Sequence, residues 1–205
     1  MLLVVGLGNP GEEYRGTRHN LGFRVVERLA ELGRGNEWKR TCQSLTARVR
    51  YAGRDLVPAM PQTYMNRSGG AVECLLRECG LTRRELLVVC DDVNLSLGSL
   101  RLKPRGGDGG HNGLADIIER IGPDFGRLRI GCGPAPRYAD LAEFVLAPFS
   151  TEEAVQLPEI IERAVKGAAL LDRMGYQKAM AELNRRPLLD TEADGDGEGD
   201  GEPEG

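Results

Sequence analysis

The chain contains two histidines. Each stands in a polar, glycine-flanked context and is followed by asparagine: "TRHN" at 17–20 and "GGHNG" at 109–113. A histidine that only fills a core lies on an apolar face, and neither does, although exposed loop histidines are common. Asp91 changes the weighing, because it ends the apolar run "LLVVC" at 86–90. A carboxylate there is costly to bury without a partner, and an imidazole is a natural one. An aspartate holding one ring nitrogen leaves the other as a base near neutral pH, able to take a proton from water. The alternative is that Asp91 caps a following turn.

Other chemistries have weaker support. There is no Gly-x-Ser-x-Gly elbow and no cysteine in a polar, histidine-rich context, so a covalent acyl-enzyme is not expected. His19, Asp91, Asp92 and His111 are conceivable ligands for a water-activating metal. The lack of an HExxH motif or of closely paired ligands argues against it, and no metal or other cofactor is expected. Asn9, Asn66 and Asn112 carry both donors and acceptors, which suits a peptide backbone, a sugar or a developing oxyanion; helix capping is the alternative for Asn66. Arg101, Lys103 and Arg105 precede the glycine-rich "GGDGGHNG" (106–113), and Arg129 lies on a strand face. Arginine forks and glycine-loop amides both suit phosphate oxygens, against the alternative of a solvated strand face. Aromatic residues are only 5% of the chain, which favours contacts to phosphate and sugar over readout of bases.

These residues need elements to hold them. "LLVVGL" (2–7) is a continuous apolar run, as in a strand covered on both faces. It leads into Gly6-x-Gly8-x-x-Gly11, the spacing of a dinucleotide-binding turn, but the context fails. Pro10 removes an amide, the polar "EEYRGTRHN" replaces an apolar helix, and Glu27 falls inside a helix pattern. No dinucleotide is expected; the glycines instead allow a tight loop that brings Asn9 and "TRHN" to a strand's C-terminal edge. Leu21, Val25, Leu29 and Leu32 then predict a helix stopped at Gly33. Leu45, Ala47, Val49 and Tyr51 alternate as one half-exposed strand, Gly53 turns the chain into "DLVPAM", and a second helix follows Ser68. "TRRE" (82–85) reads as a capping box ahead of the buried strand that ends at Asp91. In "SLRLK" (99–103) and "RLRIGC" (127–132), leucine, isoleucine and cysteine point inward while Arg101, Lys103, Arg127 and Arg129 point outward. Leu114, Ile117, Ile118 and Ile121 share a helix face, and "STEE" (150–153) caps a long C-terminal helix broken near Pro158 or Gly175. The alternation predicts an α/β fold: a single domain over 1–186 with a mixed, mostly parallel twisted sheet and helices on both faces.

The segment 187–205 reads differently. Its stretch "DTEADGDGEGDGEPEG" holds eight acidic residues and no basic one, so it cannot offset the entropy of ordering and is expected to be disordered. The whole chain is −4, but without those eight the remainder carries 27 basic and 23 acidic groups, a net +4. The folded part can therefore present a basic face to a polyanion. The five cysteines (42, 74, 79, 90, 132) include no CxxC pair and lie mostly in apolar-patterned segments, which predicts reduced, buried thiols. Neither a targeting segment nor a run approaching the roughly 18 apolar residues of a membrane span is present. A cytoplasmic location without membrane contact is expected.

Five stretches in order, "VGLGNPGEEYRGTRHNLGF", "PQTYMNRSGGAV", "VVCDDVNLSLGSLRLK", "GGDGGHNGL" and "FGRLRIGCG", together resemble the bacterial peptidyl-tRNA hydrolase family. The resemblance implies cleavage of the ester that joins a peptide to the 3′-terminal ribose of tRNA. It makes His19 the base that activates water, oriented by Asp91. Asn9, Asn66 and Asn112 would fix the peptide and the ester carbonyl, with Met65 and His111 lining the cleft and Tyr14 at its mouth. Lys103 and Arg129, supported by Arg101, would clamp the tRNA 5′-phosphate. The partner implied is peptidyl-tRNA, held by its acceptor stem and 3′ end, and the enzyme would work as a monomer without metal. Two positions depart from the family pattern: Asn94 stands where aspartate is usual and Ser96 where proline is usual. An RNA-binding module without hydrolysis and a metal-dependent amidase are the rival readings; a module would not need to keep His19 and Asp91.

Overall fold

The computed structural model describes residues 1–34 and 37–185; the acidic segment 187–205 lies outside the described residues. Three apolar runs become neighbouring parallel strands: β5 (Arg54–Pro61), β1 (Leu2–Gly6) and β6 (Leu86–Ser96), with β8 (Gly126–Gly133) parallel to β6 on the far side. Antiparallel strands complete the sheet. β3 (Ser44–Thr46) and β4 (Val49–Tyr51) pair with β5, β2 (Lys39–Thr41) pairs with β3, and β7 (Leu100–Lys103) pairs with β8. The order is β2-β3-β5-β1-β6-β8-β7, mixed and mostly parallel through its centre, as the alternating pattern predicts.

Helices cover both faces. α1 (Leu21–Leu32) and α5 (Thr151–Leu183) pack Val25, Val26, Leu29, Ile160, Ala164 and Val165 against Leu2, Val4, Leu87, Val89, Leu128 and Ile130. On the opposite face, α2 (Ser68–Glu78) and α3 (Asn112–Ile121) pack Val72, Leu75, Leu114 and Ile117 against Leu3, Val5, Val88 and Cys90. Each buried leucine or valine contributes on the order of 1.5–3 kcal/mol relative to exposure, which is why β1, buried at every residue, anchors the fold. α1 lies so close to β1 that a Cβ at Gly6 would collide with the Gly22 carbonyl. The first glycine of the Gly-rich loop therefore serves strand–helix packing, and α1 starts only at Leu21, well past the motif.

Several expectations need correction. The run 45–51 forms two short strands, because Ala47 donates to the Pro58 carbonyl at 3.1 Å while Pro58 has no N–H to return. Of the two residues expected to break α5, Pro158 is accommodated and Gly175 makes the kink, with φ 75°. The thiols are not all reduced: Cys42 and Cys74, 32 positions apart, form a disulfide that ties the β2–β3 turn to α2, leaving Cys79, Cys90 and Cys132 free. Two elements carry no signal in the pattern, the edge strand β2 and the short helix α4 (Leu141–Leu146). No helix among the described residues is long and apolar enough to cross a membrane.

Candidate active site

His19 and Asp91 meet at the C-terminal edge of the parallel strands. His19 sits on a single 3-10 turn, Arg18–Asn20, delivered by the loop after β1. Asp91 lies in the buried segment of β6, directly after the apolar run, and β6 pairs with β1 and β8. His19 Nδ1 lies 2.9 Å from Asp91 Oδ1 and 3.1 Å from Oδ2. His111, at the N-cap of α3, completes the group: its Nδ1 accepts the Leu114 N–H at 3.3 Å, so its Nε2 carries the proton and donates to Asp91 Oδ1 at 3.3 Å. The two rings are 4.9 Å apart, centre to centre.

The Asp91 side chain is 2% exposed. Burial alone would raise its carboxyl, but hydrogen bonds from His111 and His19 outweigh that and hold it well below the usual carboxylate range. An ionised Asp91 accepting at His19 Nδ1 fixes the Nδ1–H tautomer of neutral His19 and leaves Nε2 with a free lone pair. That arrangement can accept a proton from water.

Asn9 is held on three sides. Its backbone N–H donates to Asn20 Oδ1 at 2.8 Å, its carbonyl accepts from Asn20 Nδ2 at 2.9 Å, and its own Oδ1 accepts the Met65 N–H at 2.8 Å. Because the Met65 amide can only donate, the Asn9 side-chain orientation is determined, and its Nδ2 is left for a ligand among the described residues. Met65 is buried, whereas Asn66 and Asn112 are exposed. Asn20 escaped the sequence reading; its only signal there is that it follows His19.

A cavity of about 240 Å³ is lined by His19, Asp91, Asp92, His111, Asn112 and Arg129, with Leu141, Ala142 and Val145 of α4 as an apolar wall. Asn9 instead lines a separate hollow of about 340 Å³ with Asn20, Phe23 and Met60. Neither includes Tyr14, which is half-buried on the turn Glu12–Tyr14. The α4 wall is fastened by Arg18, a second residue the sequence reading passed over. Its guanidinium donates to the carbonyls of Ala147 and Pro148, pairs with Glu153 at 2.6 Å and stacks on Phe144 and Phe149. Nothing in residue periodicity marks it.

β7 and β8 carry cations in register: Arg101 opposite Arg129, Lys103 opposite Arg127. Arg101 and Lys103 are exposed as expected. Arg127 and Arg129 are not, because the glycine-rich loop after β7 folds over them. Arg127 is 1% exposed and donates to the carbonyls of Gly106, Gly107, Pro123 and Phe125. Arg129 pairs with Asp92 at 3.1 Å and donates to the Asp108 carbonyl at 2.7 Å. Alternation assigns a side chain to a face; it does not say what covers that face.

Donor atoms of His19, Asp91 and His111 lie within 4.8 Å of one another, close enough to share a metal ion. Asp92, the fourth ligand considered from sequence, is turned away to Arg129. As the rings stand, the nitrogens facing Asp91 are both engaged by its carboxylate.

Residues 3–191 match the family model described as peptidyl-tRNA hydrolase. Curated proteins of that name include one from Desulforudis audaxviator, 48% identical over 90% of this chain and 93% of its own, and one from Syntrophotalea carbinolica, 41% identical over 92% and 100%. A crystal structure of peptidyl-tRNA hydrolase from Acinetobacter baumannii superposes with a TM-score of 0.83 at 37% identity, covering 90% of this chain and 94% of that one.

Proposed function

The chain belongs to the peptidyl-tRNA hydrolase family and hydrolyses peptidyl-tRNA, and from that premise we propose that His19 is the general base, oriented by Asp91. The observation that carries this is the 2.9 Å contact between His19 Nδ1 and Asp91 Oδ1 beside an accessible cavity. His19 Nε2 removes a proton from water as the oxygen attacks the ester carbonyl carbon. The resulting oxyanion takes a hydrogen bond from Asn9 Nδ2, which has no hydrogen-bond partner among the described residues while Asn9 Oδ1 is held by the Met65 N–H. Collapse of the intermediate expels the ribose 3′ oxygen, which recovers the proton from His19 Nε2. The products are tRNA and the peptide acid, which loses its proton to solvent to become the carboxylate, and His19 ends as it began. General base catalysis of this kind contributes roughly 10²–10⁴-fold.

Around that centre, Asn66 and Asn112 hold the peptide backbone, Met65 and His111 shape the cleft, and Tyr14 meets the tRNA 3′ end. Arg101, Lys103 and Arg129 hold the tRNA 5′-phosphate and so the acceptor stem. The enzyme acts as a monomer in the cytoplasm, and residues 1–186 are the catalytic domain. The scheme uses no metal or cofactor. A metal-assisted route has one observation in its favour, the convergence of His19, Asp91 and His111. Assaying N-blocked aminoacyl-tRNA with and without a chelator separates the two: turnover unaffected by chelation is expected, and loss of turnover that returns with a divalent metal supports the other route.

A further inference from the structure

The cations on β7 and β8 carry an inference that rests on the phosphate-binding reading above. Like charges directly opposite each other destabilise a sheet pair, and this edge holds two such pairs. Among the described residues Arg101 and Lys103 form no ion pair, and Arg127 meets carbonyl oxygens without a carboxylate in reach. Arg129 alone is neutralised. Its counter-ion, Asp92, is 4% exposed at the side chain and is itself pinned, because Oδ1 accepts from Asn94 N at 3.0 Å and from Asn94 Nδ2 at 3.3 Å. Asn94, two residues on in β6, thus braces the Asp92 carboxylate with its backbone and side-chain N–H groups. The other acid nearby, Asp108, is half-buried and turns its carboxylate to the Gly110 N–H at 2.8 Å. Gly109 lies directly against the Arg129 guanidinium, with no room for a Cβ.

We propose that Asp92 is the resident counter-ion of the phosphate site: it holds Arg129 in place in the free enzyme, and a tRNA phosphate must take Arg129 from it. Because substrate and product carry the same phosphate, this competition weakens both to the same degree. Asp92 is thus a positioning residue that sets tRNA affinity and eases release of the product.

The test is binding of deacylated tRNA to the full-length enzyme across a range of salt. Arg129→Gln should weaken binding and reduce the slope of log K against log salt by about 0.9. Asp92→Asn should tighten binding about three- to tenfold near 50 mM salt, Asp92→Glu should stay near the parent, and Asp92→Asn should lose its effect in the Arg129→Gln background. Thermal melts confirm that folded proteins are compared, with Asp92→Ser as a second neutral variant. If Arg129→Gln leaves binding untouched, the phosphate reading itself fails and the inference with it. If Arg129→Gln weakens binding but Asp92→Asn does not tighten it, or tightens it equally without Arg129, the phosphate reading stands and the counter-ion role is overturned.

Discussion

His19 and Asp91 are 72 positions apart in the chain, yet their side chains meet at 2.9 Å on the rim of the parallel sheet. Two strands make that meeting: β1 ends in the loop that delivers His19, and β6 runs beside it and delivers Asp91. Neither residue is at a site that local packing would choose for it. A carboxylate 2% exposed is tolerated only because two imidazoles donate to it.

Asp91→Asn tests the orienting role. The amide can still accept from one ring but offers its NH2 to the other, so the His19 tautomer is no longer fixed. Turnover should fall roughly 10²–10⁴-fold with little change in KM, since the loss falls on the proton-transfer step. Steady-state kinetics on N-blocked aminoacyl-tRNA gives both numbers, and a KM effect without a kcat effect would place Asp91 in binding instead.

The same carboxylate makes a pH prediction for stability. Its folded-state value lies below the ordinary one, so the stabilisation is complete above the unfolded value of about 3.9 and is lost as pH falls through the lower, folded value. Acid unfolding of the parent should therefore include a steep component below about pH 4 that is missing in Asp91→Asn. Equal slopes for the two proteins in acid melts would mean that Asp91 has no favourable partners.

Arg18→Ala should remove the fastening between the His19 turn and α4. It leaves Glu153 without its guanidinium partner at 2.6 Å and takes the side-chain donor from the Pro148 carbonyl, while the residue-18 N–H still serves Ala147; the change is expected to cost about 3 kcal/mol in stability. Urea unfolding measures it. A loss under about 0.5 kcal/mol would show that α4 is held by other contacts.

Lys103→Ala should weaken tRNA binding uniformly and flatten its salt dependence by about 0.9 in slope. Arg127→Leu should act otherwise, because Arg127 is buried under the loop, donates to backbone carbonyls and lies over the Phe125 ring. There the expected loss is first in stability, read by melting, since four carbonyls lose a donor.

Much of the architecture was legible because it depends on periodicity. The continuous runs at 2–7 and 86–90 became buried parallel strands, and the arginines alternating with leucine and isoleucine in β8 left the core face as read. The histidines and Asp91 were legible for a chemical reason: a charge at the end of an apolar run needs a partner. What stayed hidden depends on contacts between distant segments. Arg127 and Arg129 were read as outward, because pattern cannot reveal the loop that covers them. Arg18 and Asn20 flank His19 without any spacing that marks their partners, and the pairing of Cys42 with Cys74 follows from where the β2–β3 turn meets α2.

The proposal that one imidazole activates the attacking water is tested most directly by turnover of purified His19→Ala on N-blocked aminoacyl-tRNA at saturating substrate. A fall of roughly 10²–10⁴-fold in kcat is predicted, with tRNA binding retained. Turnover near that of the parent would contradict it and remove His19 from the chemistry.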